Sequence, residues 1–142
     1  MSDLERRVQH NVKEWVSFAD EDLAFAQYGL NATIIKPNRQ IAFHAQQSSE
    51  KYLKAYLAFC NVDFPYTHDI SVLIKLCAEK ANWAKEINDA KNLTIYASTS
   101  RYPGVSNVVT REKAIKAVDI TIRVRDVVRN ALISEGVELE EN

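Results

Sequence analysis

Arg39 and His44 open the stretch RQIAFHAQQSSEKYLKAYLAF, residues 39–59, with four residues between them. A guanidinium grips a phosphate through forked donors, and an imidazole moves a proton near neutral pH. Together they would suit phosphodiester cleavage. Lys51 and Lys54 follow in the same stretch, and YTHDI supplies His68 and Asp69. Lysines there are ordinarily solvated, but Lys51 and His68 could also hold a phosphate. Asp69 fits a helix N-cap, with His68 either pinning the loop before it or meeting an anion at that helix end. No glycine-rich phosphate loop, paired metal-ligand carboxylates or nucleophile motif occurs.

The elements that position these groups are helical. Ser2-Asp3-Leu4-Glu5 fits a capping box. After it Leu4, Val8, Val12, Trp15, Ala19, Leu23, Ala26 and Leu30 recur at threes and fours, which predicts one helix over 3–30. A second helix starts after Pro37 and runs to Cys60. A third opens at Asp69 with Ile70, Leu73, Ile74 and Cys77, and a shorter one covers 83–98 with Ile87, Leu93 and Ile95. The last runs from the Thr110 cap to Ser134. Three Gly and three Pro leave too little turn chemistry for many short strands. The expectation is an all-α, up-and-down bundle of four to five helices in one domain, 1–136, with a frayed acidic tail at 137–142.

Helical geometry then weighs the opening pair. At ~100° per residue, Arg39 and His44 project about 140° apart, so one straight helix cannot bring both to a single phosphate. They cooperate only across a subunit interface or through an irregular first turn. Ile41, Ala45, Ser49, Tyr52, Ala55, Tyr56 and Phe59 share the core arc, which makes the aromatics packing residues rather than a stacking strip. Gln47, Glu50 and Lys54 fall on the side expected to be solvated.

Asp22 projects within the apolar stripe of the first helix, and Arg125 lies inside a wide apolar arc of the last, beside Arg111 and Arg129. Buried charges need partners, so an Asp22–Arg125 ion pair fixing helix register is the structural expectation. The functional one is a groove in which Arg125 meets a phosphate or carboxylate. The arc covers about two-thirds of the circumference of the last helix, more than one neighbour can cover, and a homodimer seam would use the surplus.

Composition narrows the classes further. With 46% apolar and 26% charged residues and a net charge of −1, no global field draws the chain to nucleic acid or an acidic membrane. No apolar run reaches membrane-span length and no signal-peptide layout is present, so a cytoplasmic location is expected. Cys60 and Cys77 have no ligand spacing, and no metal or cofactor site is expected.

Three pieces carry a family resemblance: AFHAQQSSEKYLKAYLAF from Ala42, Thr67-His68-Asp69-Ile70, and Arg101-Tyr102-Pro103 before the last helix. In order and spacing they resemble the HEPN domain family over essentially the whole chain. That resemblance implies a small helical bundle, commonly dimeric, tied to nucleotide or RNA transactions. Some members pair with minimal nucleotidyltransferases in two-gene, toxin–antitoxin-like modules, and others are toxin ribonucleases. The ribonuclease members carry Arg-x(4–6)-His around the start of the last long helix. Here RYPGVSNVVTREKAIKAVDI has Arg101 and Arg111 but no histidine.

The resemblance therefore implies an accessory binding module for a separate nucleotidyltransferase. Its nucleotide or substrate would meet Lys51, His68, Arg101 and Arg125, with Asp22, Asp69 and Tyr102 as structural residues. The alternatives are a ribonuclease toxin with an atypical Arg39/His44 site completed by a partner subunit, and a structural dimerisation module.

Overall fold

Ser2 starts the first helix as the capping-box spacing predicts, its hydroxyl accepting the Glu5 amide at 3.1 Å. The computed structural model describes residues 1–99 and 108–140, and these form six helical segments and no strand. Helix α1, Asp3–Leu30, buries Val12, Val16, Ala19, Leu23 and Ala26, while Leu4 is exposed. Helix α2, Asn38–Phe59, is the central element. It packs against α1, against α3 (Ile70–Ala78) and against α5 (Arg111–Ser134).

Small residues let α2 take that place. The Ser48 hydroxyl donates to the Ala19 carbonyl of α1 at 2.7 Å. On the other side the Ser49 and Thr121 hydroxyls meet at 2.9 Å, beside the Ala45 carbonyl. Each buried hydroxyl thus has a partner, as burial requires. Gly29 closes the α1–α2 hairpin, since a Cβ there would stand 2.6 Å from Ile41 Cγ1.

Asp69 caps α3 by accepting the Ser71 amide at 3.0 Å, and Thr110 caps α5 by accepting the Lys113 amide at 3.2 Å. The segment expected as one helix over 83–98 differs. Asn82–Leu93 is a 3₁₀ helix kinked at Ile87, followed by the one-turn α4, Tyr96–Thr99. Its buried residues Ala84, Ile87, Ala90 and Leu93 stand strictly three apart, the period of a 3₁₀ helix, and Ile95 is left exposed.

Helix α5 packs against α1, α2 and the 3₁₀ segment, so its wide apolar arc is used largely inside the chain. Val124 and Val128 are fully buried. The expected surplus for a second copy is reduced to partly exposed side chains such as Ile115 and Ile133.

The tail also departs from expectation. Gly136, at φ +94°, turns the chain back, and the Val137 amide donates to the Leu132 carbonyl at 3.0 Å. Val137 is buried and Leu139 packs on the core, so residues 137–140 are docked rather than frayed. Cys77 is buried and Cys60 half-buried, and burial pushes the Cys77 thiol up to about 12. Both are packing residues. No helix among the described residues is long and apolar enough to cross a membrane.

Candidate functional site

Asp22 organises the first polar cluster. His44 and Lys51, seven residues apart on α2, point the same way and converge on it from the facing helix. Its Oδ1 lies 2.9 Å from His44 Nδ1, and its Oδ2 accepts from Lys51 Nζ at 2.5 Å. Phe25, one turn further along α1, packs on the imidazole with ring centroids 4.3 Å apart. Arg39 is exposed in the first turn of α2, which is regular helix, so the irregular start that could have turned it toward His44 is absent.

The expected Asp22–Arg125 pair does not form. Arg125 pairs with its neighbour Asp126 at 3.0 Å, and Arg129 reaches Asp20 at 3.6 Å. The reason is angular: Asp20 and Asp22 stand ~200° apart around α1, on opposite edges of its buried stripe. Asp22 meets His44 and Lys51 of α2, whereas Asp20 meets Arg129 of α5 and the Tyr52 hydroxyl.

The second cluster corrects the helical-wheel reading of α2. Glu50 is 3% exposed and Lys54 6%. Glu50 Oε1 lies 2.8 Å from His68 Nδ1, and its Oε2 accepts from Lys54 Nζ at 3.0 Å. The Gln46 side chain donates to Glu50 Oε1 at 3.3 Å and to the His68 carbonyl at 3.1 Å. Lys54 Nζ also sits over the Trp15 and Phe64 rings, 5.6 and 5.8 Å from their centroids. A wheel drawn for one helix omits the loop before α3 and the Trp15 side of α1, which cover this face. His68 therefore pins that loop to α2.

Between α1, α5 and the docked tail lies an open cleft of about 660 Å³. Lys13, Tyr52, Arg125 and Arg129 line it, with Glu138 and Glu140 from the tail. Arg129 donates to the Glu140 carbonyl and Tyr52 donates to Asp20. Burial first, and the Asp20 carboxylate second, hold the Tyr52 phenol well above its ordinary value, so it serves as a donor at neutral pH. Asp20 and Glu21 line the cleft too, so its charges are mixed, and an anionic ligand would compete with Asp126 for Arg125 and with Asp20 for Arg129.

Of the residues expected to bind, Lys51 and His68 lie in the two α2 clusters, engaged by Asp22 and Glu50, and Arg125 lies in the cleft on the other edge of α1, engaged by Asp126. Arg101 and Tyr102 lie outside the described residues. Lys13, Tyr52 and the tail carboxylates were not legible as site residues, since only the returning tail and the α1–α5 contact bring them together. No group of three or more His, Cys, Asp or Glu that could hold a metal occurs among the described residues.

Asp22→Ala should destabilise the fold by about 1–3 kcal/mol, because Lys51 then loses its counter-charge in a half-buried position. A double-mutant cycle should show coupling between Asp22→Ala and Lys51→Met, and none between Asp22→Ala and Arg125→Met.

The pieces now form a helical bundle with a buried polar α2 and an arginine-lined cleft. The HEPN domain model matches residues 12–131, and the chain belongs to the HEPN domain family. Among solved structures it is similar to ST0689, described as an archaeal HEPN homologue. That match has 26% identity and a TM-score of 0.69, covering 85% of this chain and 97% of the other. The fold is also shared by TT1696 from Thermus thermophilus, at 24% identity and TM-score 0.66, covering 84% and 96% of the two chains. No curated protein sequence matches the chain.

Proposed function

We propose that this HEPN protein is a non-catalytic binding module that works with a separately encoded minimal nucleotidyltransferase. It holds a nucleotide or similar anionic substrate in the α1–α5 cleft. The observation that carries the reading is the cleft itself, where Arg125, Arg129 and Lys13 stand together and a phosphate would displace the carboxylates that now face them, Asp20 and Asp126 among them. A homodimer belongs to the same reading, its seam drawing on side chains left open, such as Phe18 and Phe25 of α1. The test is co-expression with the nucleotidyltransferase encoded beside this gene, followed by mass spectrometry of the nucleotide carried. Co-elution with a bound nucleotide is expected, and separate elution of the two chains overturns the partnership.

One observation favours the ribonuclease reading. Asp22 orients the His44 ring through Nδ1, as carboxylates do for catalytic imidazoles. Cleavage of single-stranded RNA in EDTA that is lost in both His44→Ala and Arg39→Ala would replace the binding reading with that one.

A further inference from the structure

The charges of this chain are not evenly spread. No acidic residue occurs between Asp22 and Glu50, or between Asp89 and Glu112. The fold brings parts of these two acid-free stretches to one end of the bundle. There Arg111, in the first turn of α5, donates to the Leu30 carbonyl at the end of α1 and lies 3.5 Å from Asn38 Oδ1 at the start of α2. Lys36, Lys113 and Lys116 are exposed near the same junction, with Glu112 as the one acid in the first turn of α5. Glu135, Glu138 and Glu140 stand beyond the other end of α5. Among the described residues this end of a chain of net charge −1 is therefore mainly cationic, with Asp119 the next acid along α5.

That end also carries the most exposed aliphatic side chains of the described residues. Ile34 is 94% exposed and Ile35 79%, in the loop between α1 and α2, and Tyr28 and Val108 flank it at 78% and 75%. Apolar side chains this open, in a cluster rimmed by cations, mark an interaction surface rather than an accident of folding. The two isoleucines at its centre offer no flat face for a base, and Tyr28 is a single aromatic rather than the run of stacking platforms that single-stranded RNA uses, which favours a protein occupant. The isoleucines fit an apolar pocket on a protein, and the lysines fit carboxylates around its rim.

We infer that this end of the bundle is the docking surface for a partner protein whose contact face is apolar at its centre and acidic at its edge. The inference rests on the reading that the chain acts with a separate nucleotidyltransferase, and it says where that protein sits. The experiment measures binding of the purified nucleotidyltransferase to immobilised wild-type chain, to Ile34→Asp/Ile35→Asp and to Lys36→Glu/Lys116→Glu. All four positions are exposed, so both variants should keep the wild-type melting temperature. Each is expected to raise Kd by about tenfold or more, and wild-type binding should weaken as ionic strength rises.

Undiminished binding by both variants overturns the docking site and leaves the partnership standing. No binding by the wild type overturns both. If the isoleucine variant instead loses RNA in a filter assay, or dissociates a dimer in sedimentation, the occupant is nucleic acid or a second copy and the inference fails.

Discussion

Replacing Glu50 with Ala should cost roughly 3–5 kcal/mol of folding stability, the range for removing one partner of a buried ion pair. Lys54 would keep its ammonium in a nearly closed site with no carboxylate, and the Trp15 and Phe64 faces are a weak substitute. His68 would also lose its Nδ1 partner, loosening the loop that leads into α3. Glu50→Leu combined with Lys54→Met should recover most of the loss, since an apolar pair of similar volume carries no desolvation cost. Chemical denaturation reads both variants. A loss below about 1 kcal/mol for Glu50→Ala would mean that Glu50 behaves as a solvated residue.

Val124→Asp and Val128→Asp should each abolish the folded state. Both side chains are fully enclosed by the chain itself, and a lone buried carboxylate costs several kcal/mol, most of a small domain's stability. Ile133→Asp, at a half-exposed position on the same helix, should change stability by less than about 1 kcal/mol. Circular dichroism and sedimentation separate the outcomes. A helical, monomeric Val124→Asp chain would move the subunit seam onto the inner arc of α5.

Local signals placed most helix ends. Ser2, Asp69 and Thr110 cap where their side chains predict, because a cap is decided by a few neighbouring residues. The 3₁₀ segment was harder. Its threefold spacing is present in Ala84, Ile87, Ala90 and Leu93, but two of the four are alanines, which add little to an apolar stripe. Side-chain environments were the least legible. Glu50 and Lys54 look solvated on a wheel of α2 alone, and what buries them comes from Trp15, Phe64 and His68, distant in sequence. The position of Asp22 within the apolar stripe is legible in the sequence, but its partner is not, because the neighbour it faces is α2 rather than α5. The cleft depends on the tail returning through Gly136, and composition alone made that tail look frayed.

The proposed function turns on Arg125 and Arg129 holding an anionic ligand between α1 and α5. Isothermal titration of ATP into the purified chain decides that point, comparing wild type with Arg125→Ala/Arg129→Ala and with Lys51→Ala. Binding by the wild type is expected, with a loss of about tenfold or more in the double arginine variant and an unchanged Kd in Lys51→Ala. ATP that fails to bind, binds the arginine variant as well as the wild type, or is lost with Lys51 alone would contradict it.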